Sequence, residues 1–328
     1  MPKRFSVWVF LALTACGPPM RPARTSESQA PSERELEAAE RVREADCGPS
    51  ASLLFPGVAQ LCQGRTAEGL TMTGLGAAEL GTGLAVGLSR DEGFDGFSHP
   101  GAAVPLIAFQ NTYAYSYADA LFQEQLAARL LYVPEDTPAE LLVAPFNKNV
   151  MGHTDVWAGT LVMLAAGIGL SAVVDEELGT RHLGEDANLF GRRFPPASGY
   201  PLAAGVGAGL FSHVAIGEEA LFRGVLLSHM AREAGPTAGW VGSSVVFGVA
   251  HAPNALALPH DEQLPYLALG VPFITVLGSY LGLTYQWHDY SLAAPVAIHF
   301  WYDFLLSATF FALDPARSPL AASVRVPF

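Results

Sequence analysis

The feature that most constrains this chain is a series of apolar segments after residue 66 that carry almost no charge. Only 15% of the 328 residues are charged, whereas about 25% is usual for a soluble domain. An apolar stretch of about 20 residues is long enough to cross a bilayer as a helix. The pattern therefore predicts an all-α fold, a polytopic membrane helix bundle.

About seven segments are long enough to span, at roughly 20 residues each. By residue number they are 67–88, 101–122, 156–174, 200–230, 240–258, 264–287 and 291–313. Gln110 and Asn111 are polar for a lipid-facing helix, so we expect them to face other helices. Segment 51–62 is too short to span and contains Pro56, which favours a half-helix at the interface. Residues 51–328 are thus predicted to form the bundle.

The N-terminus has the pattern of an export signal. Lys3 and Arg4 precede an apolar run that is too short to span. Leu13-Thr14-Ala15-Cys16 then resembles a bacterial lipobox, in which the peptide is cut before the cysteine and the cysteine is lipidated. Residues 1–16 are accordingly interpreted as a lipoprotein signal peptide, with Cys16 as the lipidation site. The alternative is a short, uncleaved and weakly hydrophobic start.

Residues 17–50 are rich in Pro and Ser and then in charge, which is typical of a linker. Ser32 and Glu35 have the spacing of a capping box and predict a short amphipathic helix at its end. Cys47 and Cys62 have no CxxC partner, which excludes a zinc ribbon or a thioredoxin-like site. They either form a disulfide in an oxidising compartment or remain two free thiols.

Charge indicates the partners and the orientation. The net charge is −13, and no basic patch with interleaved aromatic residues is present, which argues against nucleic acid. We expect a peptide or membrane-protein substrate and membrane lipid instead. After residue 66, the more basic segments are 176–199 and the tail that carries Arg317 and Arg325. By the positive-inside rule both face the cytoplasm, with an exported N-terminus in a bacterial cell membrane.

Three charged residues lie within one predicted span: Glu218, Glu219 and Arg223. A charge at this depth costs about 3 kcal/mol, so the group indicates a function. Glu219 and Arg223 are four residues apart, with the acid first, and can pair along one helix face. Glu218 has no such partner. A buried carboxylate without a partner can exchange a proton near neutral pH, so Glu218 is predicted to be the reactive group.

Later spans carry His251, four residues after Phe247, and His299, four residues before Asp303. His299 and Asp303 therefore share a helix face, and the Asp can orient the ring. We expect Glu218, His251, His299 and Asp303 to meet in a wet cavity. Other histidines, such as His213, His229 and His260, are interpreted as structural or interfacial.

The ordered elements Glu-Glu-x-x-x-Arg, Phe-x-x-x-His and His-x-x-x-Asp resemble the signature of the CAAX-protease and bacteriocin-processing family (CPBP, also called Abi). These intramembrane metalloproteases include the type II CAAX prenyl endopeptidases. The stretches 277–282 and 291–299 also look like part of that family's pattern. The resemblance covers about residues 200–306, the expected catalytic core. Asp303 stands where many relatives have Asn.

The resemblance implies an intramembrane endopeptidase. It implies that Glu218 and His251 activate a water that attacks a peptide carbonyl, and that His299 and Asp303 stabilise the oxyanion. His251, His299 and Glu218 are also the expected ligands if a zinc ion takes part. Two other interpretations stay open at this point: a non-proteolytic scaffold or pseudoenzyme of the same fold, and a transporter or proton relay.

The lipobox interpretation predicts the outcome of one substitution. Cys16→Ser should abolish incorporation of a fatty-acid probe and leave the precursor uncut, because the acylated thiol and the cleavage signal are both lost. Labelling followed by gel mobility measures both effects. An unlabelled wild-type protein of precursor mobility would contradict the interpretation.

Overall fold

The computed structural model describes residues 47–89, 100–174, 184–190 and 192–316, together with residues 42 and 45. The predicted signal peptide 1–16, its Cys16 and most of linker 17–50, with the helix expected after Ser32, lie outside these residues. Helices dominate the described chain, and the strands found there are β1 (Ala187–Leu189) and β2 (Arg192–Phe194), an antiparallel pair. The predicted all-α class is confirmed.

Twelve α-helices are present in the described part of the chain. They are α1 (Val58–Cys62), α2 (Thr66–Leu88), α3 (Pro100–Ala127), α4 (Pro138–Val143), α5 (Lys148–Met151), α6 (Thr154–Val174), α7 (Pro196–Glu219), α8 (Ser228–Ala234), α9 (Pro236–Ala250), α10 (His260–Pro265), α11 (Val271–Trp287) and α12 (Ala293–Leu313). Short 3₁₀ segments occupy Pro49–Leu53, Ala144–Phe146 and Ala252–Ala257. Two π-helical segments occupy Ala220–Leu227 and Tyr266–Gly270.

Four helices of the described chain are long and apolar enough to cross a membrane. They are Thr154–Ser171, Pro196–Ala234, His260–Trp287 and Ala293–Leu313. The second consists of α7, the first π segment and α8, and the third consists of α10, the second π segment and α11. The chain is a helical membrane bundle.

The predicted count of about seven spans is not confirmed. Each of the seven predicted segments contains a helix, but α9, in segment 240–258, ends at Ala250 and has only 15 residues, which is short for a span. Helices α2 and α3 are long enough, yet each carries buried polar side chains, including Glu79 and Asp119. These polar side chains make both helices less apolar, and they are present because they form contacts between helices.

Helices α2 and α3 run antiparallel and are joined by those polar contacts. Near one end, the Arg65 guanidinium binds the buried carboxylate of Asp119, with Nη2 3.0 Å from Oδ1. Further along, Thr112 donates a hydrogen bond of 3.2 Å to Glu79. Helix α7 then lies against α3, where Gly217 packs on Asn111 so closely that a Cβ would come within 2.6 Å of its Oδ1. Asn111 is buried, as expected from the sequence, whereas Gln110 is exposed.

Contacts between loops and helix ends join the chain at one end of the bundle, which we call the disulfide end. The pairs that define it are Cys47–Cys62, Arg65–Asp119, Arg232–Leu131, Gln286–Pro236 and His288–Asp155. The disulfide itself decides between the two alternatives for its cysteines, whose Cα atoms are 6.2 Å apart. The β-ribbon lies at the opposite end, where the Asn188 amide donates to the Pro315 carbonyl over 2.8 Å.

The Arg65–Asp119 pair gives a stability prediction. Asp119→Ala should lower the free energy of unfolding by about 3 kcal/mol, because it leaves the largely buried Arg65 charge without a partner. Thermal or denaturant unfolding in detergent measures the loss. Glu124→Ala, an exposed position on the same helix, is the matched control and should change stability by less than about 0.5 kcal/mol. Equal stability of the two variants would contradict the role given to the pair.

Candidate active site

The acidic pair lies where the longest described helix changes its geometry. Glu218 and Glu219 are the last two residues of α7, and the π segment Ala220–Leu227 follows directly. A π-helical turn takes an extra residue per turn and often marks a functional site. Arg223 lies in the middle of this segment. The change of geometry therefore coincides with the charged group that the sequence singled out.

Glu219 is fully buried and binds two partners through one oxygen. Its Oε1 accepts a hydrogen bond from Arg223 Nη1 at 2.9 Å, the pairing that the four-residue spacing predicts. The same Oε1 lies 2.7 Å from Nδ1 of His299 on α12. Glu219 thus links the α7 helix to α12 as well as to its own next turn.

Arg223 is 1% exposed, and three contacts compensate its burial. Besides Glu219, Nη2 donates a 3.0 Å hydrogen bond to the Gly278 carbonyl on α11. The guanidinium also lies 4.2 Å above the centre of the Phe247 ring, a cation–π contact with α9. Gly278 makes this packing possible, because a Cβ there would come within 2.7 Å of the Phe247 ring.

Glu218 is held much more loosely than its neighbour. Its Oε2 lies 3.7 Å from His251 Nε2 and 3.9 Å from His299 Nε2, both too long for a hydrogen bond. This oxygen is buried and has no hydrogen-bond partner, although the side chain as a whole is 23% exposed. Glu218 is therefore a carboxylate with two imidazoles near it and room for a further group between them.

His251 has a defined tautomer because its Nδ1 lies 2.8 Å from the Phe247 carbonyl. A carbonyl only accepts, so Nδ1 carries the proton, and in the neutral ring Nε2 presents a lone pair towards Glu218. The backbone at His251 is held by Tyr266, whose hydroxyl donates to the His251 carbonyl at 3.1 Å. Tyr266 also hydrogen-bonds Asn254, on the 3₁₀ segment that follows His251.

His299 lies between carboxylates on both sides of its ring. Nδ1 faces Glu219, and Nε2 is 3.3 Å from Asp303 Oδ2. Both ring nitrogens can donate only when the ring is doubly protonated, so this setting suits an imidazolium. The predicted contact between His299 and Asp303 is present, and the contact with Glu219 is additional.

Asp136 fixes the start of α12, the helix that carries His299 and Asp303. Its carboxylate accepts hydrogen bonds from the Ser291 hydroxyl at 2.6 Å and from the Leu292 amide at 2.7 Å. Burial raises the pKa of the Asp136 carboxyl, and these two hydrogen bonds act in the opposite direction. The entry of α12 into the bundle is thereby set by a residue far away in the sequence.

The charged groups line a cavity of about 370 Å³. Glu218, His251, His299 and Asp303 share its wall, and Glu219 and Arg223 lie behind it. Part of the wall comes from α3, and its polar members there are Gln110 and Asn111. Sequence reasoning missed Asn254 and Tyr266, which also line the cavity. The spacing of Asn254, one turn beyond His251, was the sequence signal that could have indicated its place in the cavity.

The other histidines named from the sequence lie elsewhere. His213 Nε2 is 3.0 Å from the buried carboxylate of Glu79, so it joins α7 to α2. His229 and His260 are exposed.

The donor atoms at the cavity fit a divalent metal chemically. Metal-binding histidines usually donate their second ring N–H to a carbonyl or a carboxylate. His251 and His299 both have this arrangement, with the Phe247 carbonyl and with Glu219. Their Nε2 atoms and the Glu218 carboxylate would be the ligands, as the sequence predicts, and zinc at this position stays a prediction.

Residues 200–305 match the family model described as Rce1-like: Type II CAAX prenyl endopeptidase Rce1-like. Residues 200–305 are therefore similar to this family. The resemblance predicted from the motifs is confirmed, and the family is one of proteases. The matched region contains all the residues predicted for the cavity, whereas α3, which closes one wall, lies outside it. No curated protein and no solved structure gives a significant match to the chain.

The buried cluster predicts a contrast between two adjacent glutamates. Glu219→Gln and Arg223→Gln should each lower the free energy of unfolding by about 3–5 kcal/mol, because a buried charge loses its partner. Glu218→Gln should leave stability at or slightly above the wild-type value, because this carboxylate has no direct hydrogen bond to lose. Unfolding of the three purified variants in one detergent measures the contrast. A Glu218→Gln loss as large as that of Glu219→Gln would contradict it.

Proposed function

We propose that the protein is an intramembrane endopeptidase that hydrolyses a peptide bond of a membrane-associated or peptide substrate. The observation that supports this most is the Glu218 oxygen, buried in the cavity wall without a hydrogen-bond partner and 3.7 Å from His251 Nε2. A water molecule beside this gap can hydrogen-bond to both groups. The Rce1-like match adds a protease family as independent support.

In the proposed reaction, Glu218 removes a proton from the water while His251 Nε2 orients it. The hydroxide attacks the peptide carbonyl, whose oxygen becomes an oxyanion. Glu218 then passes the proton to the leaving amine, so that it acts as a general base and afterwards as a general acid. Glu218 suits this role because no direct hydrogen bond holds its Oε2 in place.

His299 is the proposed donor to the oxyanion. Its ring is fixed from behind by Glu219, so Nε2 points to the cavity beside Asp303. The 3.3 Å contact with Asp303 is long, and a developing oxyanion can compete for the same proton. Asp303 would keep the His299 ring charged and oriented. Asn at this position would still accept a hydrogen bond from the ring but would not supply the negative charge.

A divalent metal, if bound, would be held by His251, His299 and Glu218 and would make a bound water more acidic. His299 would then bind as a neutral ring through the lone pair of Nε2, so it could not donate that proton to the oxyanion. The roles proposed for Glu219 and Arg223 are the same with or without the metal. Both keep the His299 ring in place, and Arg223 offsets part of the negative charge of three carboxylates.

The substrate is proposed to lie along α3. The amides of Gln110 and Asn111 are on the wall of the cavity, and side-chain amides can hydrogen-bond a peptide backbone. Processing of prenylated CAAX proteins in the strict sense is not expected if the lipobox interpretation of a bacterial lipoprotein is right. A bacteriocin leader or a membrane protein is the more suitable substrate class.

We also propose that the disulfide end faces the exported side of the membrane. Disulfides persist in oxidising compartments. The β-ribbon, which belongs to the basic segment 176–199, lies at the opposite end of the bundle. That end would be cytoplasmic, in agreement with the positive-inside rule. Arg317 and Arg325 of the tail lie outside the described residues.

The mechanism predicts that Glu218→Gln loses activity by about 10²–10⁴-fold, the usual contribution of a general base. His251→Ala should also be folded and inactive, and Asp303→Asn should retain partial activity. His299→Ala should be inactive and also less stable, because buried Glu219 loses a hydrogen-bond partner. The measurement is cleavage of a peptide library by protein reconstituted in liposomes, with unfolding curves as a check on folding.

Glu233→Gln, an exposed position at the end of the same long helix, is the matched control and should cleave at the wild-type rate. A Glu218→Gln variant as active as that control would falsify the assignment. A wild-type protein that cleaves nothing in a broad library would favour the scaffold interpretation instead.

A further inference from the structure

A second group of metal-binding side chains lies at the disulfide end, apart from the cavity. His153, Asp155 and His288 each offer one ligand atom, and these atoms all lie within 4.8 Å of one another. His153 is exposed, whereas Asp155 and His288 are each less than one fifth exposed. We propose that these residues bind a divalent transition metal such as Zn²⁺ and thereby link α6 to α11.

The type of ligand indicates the type of metal. Two imidazoles and one carboxylate suit Zn²⁺, Co²⁺ or Ni²⁺, whereas Mg²⁺ and Ca²⁺ prefer oxygen atoms. Ligand atoms around a tetrahedral zinc are about 3.3 Å apart, given bonds of about 2.0 Å. The ligand atoms lie within 4.8 Å of one another, and the exposed His153 side chain can rotate towards that spacing. Three protein ligands leave the fourth position to water.

Asp155 is held in position by α11. It lies in the first turn of α6, and its backbone carbonyl accepts a 2.6 Å hydrogen bond from the Tyr280 hydroxyl. Gly159, one turn further on, permits this contact, because a Cβ there would come within 1.9 Å of the Tyr280 ring. The carboxylate is therefore presented by two helices packed in close contact.

His288 is held by a turn of unusual backbone conformation. It follows the last residue of α11, and its amide donates to the Thr284 carbonyl at 3.0 Å. The next two residues, Asp289 and Tyr290, both have positive φ, 54° and 62°. Non-glycine residues adopt this conformation at a cost, and it tends to persist where a function or the surrounding structure demands it.

The ligands already contact one another. His288 Nε2 lies 2.7 Å from Asp155 Oδ2, and the rings of His153 and His288 meet edge to face with centres 4.7 Å apart. The metal would take the place of the hydrogen bond between His288 and Asp155. Metal binding should weaken as the pH falls, because a histidine nitrogen that binds a metal must be unprotonated.

This group is separate from the proposed active site. Leu277 lines the cavity, and His288 lies 288 − 277 = 11 residues further along the chain. At 1.5 Å per helical residue this is about 16 Å. Metal binding at the disulfide end can thus be measured independently of any metal near Glu218.

The test uses the full chain, purified in detergent and stripped of metal, with His251→Ala as the background so that a ligand of the active site is absent. Zn²⁺ is titrated by calorimetry, and Co²⁺ by its visible absorption. We expect one bound metal in this background. A further His153→Ala change should weaken binding by more than the roughly 10–100-fold that loss of an outer-shell partner causes.

His229→Ala, another exposed histidine, is the matched control and should bind as the background does. Zn²⁺ should also raise the Tm of the background and of this control, but not that of the His153→Ala variant. If the background binds no metal, or if His153→Ala binds and melts as the control does, the site is overturned. Neither result bears on cleavage by the wild-type protein, so the proposed function is tested separately.

Discussion

The interaction on which the site depends is the buried carboxylate of Glu219. One of its oxygens binds Arg223 in the next turn and His299 on α12, and Arg223 in turn contacts α9 and α11. Each of these charges alone would cost about 3 kcal/mol at membrane depth. Together they compensate one another only when all four elements are packed, so the cluster specifies the arrangement of the helices that carry Glu218 and His251.

The bundle distributes polarity in the way a membrane requires. Glu219 and Arg223 are buried, while Leu161 and Val249 are among the large apolar side chains that remain more than half exposed. In a membrane, exposed apolar side chains contact apolar lipid chains, whereas polar groups must bind partners inside the helix bundle. The Arg65–Asp119 and Glu79–His213 contacts follow the same rule between α2, α3 and α7.

Local spacing made much of the site predictable. Residues four apart on a helix, such as Glu219 with Arg223 and His299 with Asp303, meet whatever the rest of the chain does. The contact between Glu219 and His299 joins residues 80 apart and depends on how two helices cross, which no local pattern encodes. The π segment also escaped prediction, because its eight residues read as ordinary helix. The count of about seven spans is not confirmed for a related reason, since polar residues that serve helix contacts reduce the apolarity of α2 and α3.

Two separate parts of the chain form the cavity. The charged groups proposed for catalysis all lie within residues 200–305, which match the Rce1-like model, whereas Gln110 and Asn111 lie on α3, before that region begins. Mutations in α3 can therefore reshape one wall without touching an ionisable group of the other. For the proposed endopeptidase, substrate selectivity and catalysis would then depend on different parts of the chain, and a mutation could change one without the other.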